Sequence, residues 1–347
     1  MQKVTIKDVA KHAGVSITTA SFALNNVTNR VNKQTQSKVL KSAKELGYVP
    51  NINASKLRRN VSDSIMLVYS QVFLEEQNAS TTQFILSTIQ TAKKYNKDVI
   101  IRAFHPYNNW NTMIQNYANI WTSRKVDGII FLCSVDDNAP DYIFSELYNK
   151  HGVNLVNATS PSHLTHEKKD YPSIYDDLYS ATFKALEHIE NLGYKKIYYI
   201  GMDYKTFYPL RIQAYLDYLA NNTNISGKLL NYRSIYRTKE DIWSLIAPIL
   251  EKQNSDIAFM CWNDVDATSV LELLQIKEVE SDFKIGVIGY DDIASAAHTA
   301  PPLTTIQNPY DEIAKLSVKT ICEQLEKRYP EPPNIVVDSK FINRKSL

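Results

Sequence analysis

Glycine is scarce in this sequence of 347 residues, and its scarcity limits the chemistry open to the protein. The nine glycines form neither a GxGxxG nor a GxxxxGK[ST] pattern, the two loops whose backbone amides usually cradle phosphates. A GxSxG nucleophile elbow is also missing. The sequence therefore argues against an enzyme and indicates no cofactor.

Cysteine is rarer still. The three residues Cys133, Cys261 and Cys322 are an odd number, lie far apart and form no CxxC pair, so neither a disulfide framework nor a zinc site is indicated. The segment HLTHE places His163 and His166 three residues apart in a polar stretch, which is not the i, i+4 helical spacing of a zinc protease. We expect no metal site.

Long apolar runs are missing as well. No stretch approaches the roughly 18 consecutive apolar residues of a membrane helix, and the first residues, MQKVTIKDVAKHAG, carry charges where a signal peptide has its apolar region. We expect a soluble protein of the cytoplasm with no membrane partner.

The charges are nearly balanced overall, with 39 Lys and Arg against 37 Asp and Glu, but they are unevenly distributed. The first sixty residues contain 11 basic and 2 acidic residues, a net charge of +9, whereas the remainder has a net charge of −7. A basic head on an acidic body predicts a polyanionic partner for the head.

The head has the pattern of a helix-turn-helix. Thr5 and Asp8 form a capping box at the start of one helix, Gly14 ends it, and Ser16 caps a second helix from Ile17 to about Leu24. A third helix is predicted over about 33–46, ended by Gly47. The residues expected on its inward face are Val39, Leu40, Ala43 and Leu46.

Strands and helices alternate from about Ser62 onward. Seven short β-branched or aromatic runs predict buried parallel strands at 64–70, 98–104, 128–134, 153–157, 196–201, 257–262 and 284–289. Amphipathic stretches between them predict crossover helices. The fold class is therefore α/β: an all-α head, 1–49, a linker, 50–61, and a core, 62–347, of two doubly wound parallel sheets. We expect an N-lobe of about 62–160 with 293–320 and a C-lobe of about 161–292 with 321–347.

Several motifs occur in an order that is similar to that of one family. The head contains TIKDVAKHAGVSITTASFALNN and then ELGYVPNINASKLRR, and the core contains RIQAYLDYL, CWNDVDA and IGYDDIASAAHTAPPLTTIQNP. Together they resemble the lactose-repressor (LacI/GalR) family of bacterial transcription regulators. The resemblance implies a homodimer that binds double-stranded, pseudo-palindromic operator DNA, controlled by a small effector in a periplasmic-binding-protein-like core.

In a helix-turn-helix the start of the second helix enters the major groove. This places four side chains at base edges and three near phosphates: respectively Ile17, Thr18, Ser21 and Phe22, and Thr5, Ser16 and Asn25. The family often has arginine where this chain has Phe22, and an aromatic side chain favours a thymine methyl over guanine. Alternatively, Phe22 packs on the third helix.

The segment after Pro50 resembles the family's hinge helix, which wedges a leucine into the DNA minor groove. Leu57 occupies that position, and the residues expected beside it are Tyr48, Asn51 and Ala54. The alternative for Leu57 is a contact with its counterpart in the dimer.

Three polar residues follow predicted strands of one lobe, where open α/β sheets bind their ligands. They are Arg211, Asn263 and Asp291, and in the resembling family the matching residues bind a sugar or similar effector. Arg211 and Asp291 alternatively form an ordinary surface pair. Phe73, after the first strand, is expected to form an apolar wall of the same site.

The function predicted is a ligand-responsive repressor of genes for carbohydrate uptake or breakdown, answering to a sugar or sugar phosphate. Two other functions stay open: a regulator controlled by a protein partner, and a sugar-acting enzyme with a helix-turn-helix appendage. The C-terminal KFINRKSL has no leucine heptad, so a dimer is expected.

Overall fold

The chain folds as two compact units, Met1–Ser62 and Asp63–Leu347. The computed structural model describes residues 4–25, 30–49, 62–70, 79–104, 110–132, 141–158, 160, 168–202, 209–232, 237–252, 254–327 and 329–347. We call the first unit the head and the second unit the core.

Three helices form the head: α1 (Ile6–Ala13), α2 (Ile17–Leu24) and α3 (Lys33–Glu45). The Thr5 backbone amide donates to the Asp8 carboxylate at 2.8 Å, which completes the capping box at the start of α1. Gly14 ends α1 with φ 62°, a left-handed conformation in which a side chain is strained. The predicted helix-turn-helix is therefore present.

The interior of the head is small. Its buried hydrophobic residues come from all three helices and are Val9, Ala10, Ala13, Ala20, Ala23, Val39 and Ala43. Leu40 was expected inward but is 47% exposed, because Val39 and Ala43 define the buried face by their i, i+4 spacing and Leu40 lies about 100° around the helix from Val39.

Strands and helices alternate through the core. In chain order its elements are β1 (Ser64–Ser70), α4 (Ala79–Lys94), β2 (Asp98–Phe104), α5 (Trp110–Thr122), β3 (Gly128–Leu132), α6 (Asp141–Ser145, continued by a π-helical turn Glu146–Lys150), β4 (Leu155–Asn157), β5 (Ser173–Asp176), α7 (Leu178–Asn191), β6 (Lys196–Met202), α8 (Pro209–Asn221), β7 (Leu229–Tyr232), α9 (Lys239–Leu250), β8 (Ile257–Cys261), α10 (Asp264–Ile276), β9 (Ile285–Asp291), a 3-10 helix (Ala294–His298), β10 (Thr304–Gln307), α11 (Tyr310–Glu326), β11 (Asn334–Val337) and β12 (Lys340–Ile342).

Two six-stranded sheets result. The N-lobe sheet has the order β11-β5-β4-β3-β1-β2, and the C-lobe sheet has the order β12-β10-β9-β8-β6-β7. Every neighbouring pair is parallel except β10 with β12. The doubly wound, two-lobed architecture expected from the alternating pattern is confirmed.

The lobes divide the chain differently from the expected boundaries. Strands β5 and β11 lie in the N-lobe sheet, and β10 lies in the C-lobe sheet. The chain therefore passes between the lobes at 176–178, 307–310 and 337–340. The sequence did not indicate these three strands, because each has only four residues, too few to reveal a period.

Among the helices that the structure describes, none is long and apolar enough to cross a membrane.

Candidate functional site

The start of α2 is exposed to solvent. Ser16 caps the helix by accepting the Thr19 amide at 3.0 Å. Ile17, directly after the cap, is 47% exposed, and Thr18 is exposed as well. An isoleucine so exposed at a helix start contributes little to folding, so it is available for contact with a partner.

Farther along α2 the predicted contacts differ in exposure. Phe22 is half-buried, whereas Ser21 is 7% exposed. The Asn25 side chain donates its amide to the Ser21 carbonyl at 2.7 Å. Ser21 therefore lies on the inner side of the helix, and the exposed face consists of Ile17, Thr18 and part of Phe22.

The remaining head residues divide between described and undescribed positions. Thr5 is exposed at the start of α1, and Tyr48 packs partly buried against the helical core. Asn51, Ala54, Leu57 and, in the core, Phe73 lie outside the described residues.

Arg211 is the most deeply buried of the predicted effector residues. It lies in the first turn of α8, is 3% exposed, and donates from Nη1 to the Trp262 carbonyl at 2.7 Å. Its guanidinium carbon lies 3.3 Å from the centre of the Tyr290 ring, the geometry of a cation–π contact. Its burial excludes an ordinary surface pair with Asp291.

A carboxylate of the N-lobe faces this arginine. Asp176, the last residue of β5, is 1% exposed, and burial raises its pKa while the positive charge of Arg211 opposes the rise. One of its oxygens accepts from Ser160, and Oδ2 has no hydrogen-bond partner among the residues described. A buried carboxylate oxygen without a donor is costly, and a ligand hydroxyl would satisfy it.

Asn263 has one half of its amide already engaged. It caps α10, and its Oδ1 accepts the Asp266 backbone amide at 2.8 Å. This bond orients the side chain, so that its NH2 group is the part able to donate to a ligand.

Two aspartates, Asp264 and Asp291, interact electrostatically near the end of β9. Asp264, the first residue of α10, is fully buried and accepts from Thr305 at 2.5 Å and from the Ile293 amide at 2.8 Å. Burial, and then the charge of Asp291, raise the pKa of Asp264 to about 8. Asp264 is therefore mainly neutral at pH 7, and the half-buried Asp291 carries the more accessible of the two carboxyl groups.

A cavity of about 720 Å³ opens between the second and third connections of the lobes. Asp291, Asp292 and Tyr310 are part of its lining, with Gln83 of the N-lobe on the other side. Burial raises the pKa of Tyr310 and of Tyr290, so both phenols stay protonated and can donate hydrogen bonds. Ring faces, donors and carboxylates thus converge from both lobes.

Sequence reasoning missed four residues of this site: Asp176, Asp264, Tyr290 and Tyr310. For Asp176 the sequence does contain a signal, the segment SIYD. It is a short apolar run followed by a polar residue, as are the segments that lead to Asn263 and Asp291. The structure also contains no group of three His, Cys, Asp or Glu side chains fit for a metal, as far as its described residues go. The predicted loop position of His163 and His166 lies outside them.

Comparisons with known proteins match both units. A family model described as bacterial regulatory proteins, lacI family, matches residues 5–51, and one described as a periplasmic binding protein-like domain matches residues 186–347. The HTH-type transcriptional repressor PurR of Mannheimia succiniciproducens is 26% identical over 348 residues, covering 99% of this chain and 98% of the relative.

Two solved structures show the same fold over the whole chain. The lac repressor dimer bound to operator and the anti-inducer ONPF has a TM-score of 0.78 at 21% identity, covering 99% of both chains. The transcriptional regulator CelR in complex with cellobiose has a TM-score of 0.63 at 20% identity, covering 99% of this chain and 100% of that one.

Proposed function

We propose that this chain is a repressor of the lacI family of bacterial regulatory proteins and that its operator binding is controlled by a polyhydroxy effector held between the core lobes. We assign 1–49 to DNA binding, 50–61 to the hinge and 62–347 to effector binding. Its place of action is the cytoplasm, where the chromosome lies.

The head supplies the DNA-binding surface of this proposal. Ile17, Thr18 and Phe22 read base edges in the major groove, and Thr5, Ser16 and Asn25 contact phosphates. The exposure of Ile17 and Thr18 supports this assignment. Ser21 belongs to it only if DNA reaches the edge of the helix, since Ser21 is buried. In the hinge, Leu57 enters the minor groove, with Tyr48, Asn51 and Ala54 beside it.

A homodimer is supported by apolar side chains left exposed on the N-lobe. Edge strand β2 exposes Ile100 and Ile101 at 40% and 43%, and α4 exposes Leu86 and Ile89 at 48% and 41%. An exposed edge strand with apolar side chains is usually covered in native proteins. A second copy of the chain supplies that cover and matches a two-fold operator.

One observation carries the effector proposal: the buried Asp176 carboxylate of the N-lobe interacts with the charge of Arg211 of the C-lobe, and one of its oxygens has no donor among the described residues. A sugar offers several hydroxyls at fixed spacing, which satisfy Asp176, Asp291 and the Arg211 fork together, while its apolar face lies on an aromatic ring. The likeness to a regulator bound to cellobiose supports the same class. A ligand that contacts both lobes stabilises one closure angle over another.

Calorimetric titration of the full-length chain tests the proposal. The panel is glucose, galactose, ribose, cellobiose, galacturonate and glucose 6-phosphate. We expect a panel sugar to bind one per chain, to change operator affinity and to be recovered unaltered, as expected of a binding protein and not an enzyme.

Two variants separate the ligand from the DNA. Asp291→Ala weakens sugar binding by at least about tenfold, since a hydrogen-bond acceptor for the sugar hydroxyls is lost, and abolishes the sugar response without changing sugar-free operator affinity. Leu57→Ala weakens operator binding and leaves the sugar affinity of the core unchanged. The exposed Asp282→Ala serves as the control for charge. Unchanged sugar binding in Asp291→Ala, or chemical conversion of the sugar, contradicts the proposal.

A further inference from the structure

The loop that carries Asp291 has an unusual backbone. Asp291 and Asp292 are consecutive residues with φ of 114° and 54°, and non-glycine residues in this half of the conformational map persist only where their surroundings hold them. Asp291 contributes to the effector site, so the contacts that hold this loop decide whether its carboxylate is in place.

The Asp292 side chain makes the contacts that hold it. Its Oδ1 accepts from Nη2 of Arg344 at 2.6 Å, and its Oδ2 accepts from Nε2 of Gln307 at 2.9 Å. The arginine and aspartate side chains are only 19% and 14% exposed, so solvent screens their attraction less than that of a surface pair. Both oxygens of Asp292 therefore already accept hydrogen bonds from protein side chains. We call Asp292, Arg344 and Gln307 the junction.

Arg344 is itself fixed in place. Its Nη1 donates to the Leu303 carbonyl at 2.7 Å, and its backbone amide donates to Thr304 Oγ1 at 2.9 Å. A planar guanidinium with two acceptors at set angles is a rigid support. Arg344 therefore joins Asp292 to strand β10 as well as to its own segment.

The junction lies where the lobes connect. Gln307 is the last residue of β10 and begins the second lobe connection, 307–310. Arg344 follows β12, the strand that comes directly after the third connection, 337–340. The cavity between these connections is lined by Asp291, Asp292 and Gln307. A change in either connection is thereby transmitted to the loop that carries Asp291.

We propose that Arg344 and Gln307, acting through the Asp292 carboxylate, are positioning residues that hold the Asp291 loop in its binding conformation and tie it to two of the three lobe connections. The role in binding rests on the proposed function of Asp291. The junction itself is tested without any ligand.

Hydrogen exchange of the full-length protein is the first measurement. Asp292→Asn keeps the shape but loses the charge, and Arg344→Met removes the fork. In both variants we expect the Ile293 amide, which donates to Asp264, to exchange about tenfold faster or more, because the loop opens more often. The exchange rates of the amides in β6 and β8 should not change. Arg344→Lys keeps the charge without the fork and gives an intermediate rate.

Two controls are matched to these variants. Asp338→Asn removes a carboxylate from an exposed residue lining the same cavity, and Lys345→Met removes the neighbouring exposed cation, which lines a different cavity. Neither is expected to change exchange at Ile293. An unchanged rate in both Asp292→Asn and Arg344→Met, or an equal rise throughout the core, overturns the proposal.

Titration with ribose and cellobiose is the second measurement. We expect the open loop to become the main state in Asp292→Asn, so that only about a tenth of the molecules keep the binding-competent loop. The apparent dissociation constant of whichever sugar the wild type binds then rises about tenfold. Faster exchange with unchanged sugar affinity overturns the positioning role. Failure of both sugars to bind the wild type counts against the proposed effector class instead, and the exchange result still decides the junction.

Discussion

The head and the core differ in the size of the side chains that they bury. Among the described residues of the head, the buried hydrophobic ones are five alanines and two valines, whereas the C-lobe buries Tyr199, Tyr215, Phe259, Trp262 and Tyr290. Apolar burial stabilises in proportion to area, so the head gains little from its interior and depends on caps and turns. The core buries much more apolar area, and the resulting stabilisation offsets the cost of burying charged groups.

This difference assigns each unit its means of recognition. The head, with few buried groups and many basic residues, recognises through exposed side chains and long-range charge. In the proposed function the core recognises its effector through carboxylates and an arginine that are removed from water, where electrostatic interactions are stronger and pKa values shift. The predictions below test this contrast, beginning with the largest expected effect.

The salt dependence of operator binding gives the largest effect. With a net charge of +9 in the first sixty residues, we expect affinity to fall by roughly 10³–10⁵ between 50 and 200 mM salt, as for proteins that make about six to ten phosphate contacts. Fluorescence anisotropy with labelled operator measures the slope. Sugar affinity of the core, measured over the same range, serves as the comparison and should change little; a flat operator slope contradicts the assignment of charge to DNA binding.

The head was the more predictable unit because its signals are local. The capping pair Thr5 and Asp8, Gly14 and the Ser16 cap lie within twelve residues, and each fixes one helix end by a contact with its near neighbours. Where prediction failed, at Leu40, the residue lies at the edge of the apolar face, and its burial depends on packing that the period alone does not determine.

The core site was only partly predictable because its parts are distant in sequence. Arg211 and Asp291 were predicted because each comes after a long apolar run, whereas Asp176 ends the four-residue strand β5 and was not predicted. Its role arises from the crossing of the chain between lobes at 176–178, a feature of topology. No local period encodes which sheet a short strand joins.

The second prediction concerns a charge buried in the core. Asp266 is 1% exposed and accepts from the Tyr232 hydroxyl at 2.5 Å and from Arg237 Nε at 2.7 Å. Asp266→Ala removes this carboxylate from the Arg237 guanidinium, whose side chain is only 11% exposed, and the loss of one member of a buried ion pair costs about 3–5 kcal/mol of unfolding free energy. Urea denaturation measures the loss.

The same helix α10 provides the control for this variant. Glu272 pairs with Lys239 while both side chains are nearly half exposed, so Glu272→Ala should cost about 0–1 kcal/mol. Equal losses in the two variants would remove the distinction between buried and surface charge. Recovery of stability in Asp266→Leu/Arg237→Met would sharpen it, because both charges are then gone.

The third prediction is a pH dependence caused by Asp264. Its pKa is about 8 in the folded chain against 3.8 ordinarily, so between these values the folded state holds a proton that the unfolded state has released. Stability contributed by this proton is present at low pH and is lost as pH rises through about 8. Asp264→Asn removes the titration, and the stability of the wild type relative to this variant should fall from pH 5.5 to 8.5. A constant difference would show that Asp264 is ionised throughout.

The smallest effect is expected at Phe22, and it separates base reading from charge within the head. The half-buried Phe22 lies on α2 beyond the exposed Ile17. Phe22→Arg introduces a fork that pairs with guanine, and a good bidentate contact discriminates between bases by about 1–3 kcal/mol. Selection from randomised operators should therefore enrich guanine at one position in each half-site, while the salt slope stays steep or increases slightly. Phe22→Leu keeps an apolar side chain and serves as the control, with unchanged base preference. If the arginine and leucine variants select the same sequence as the wild type, Phe22 packs against α3 and the reading of bases belongs to Ile17 and Thr18 alone.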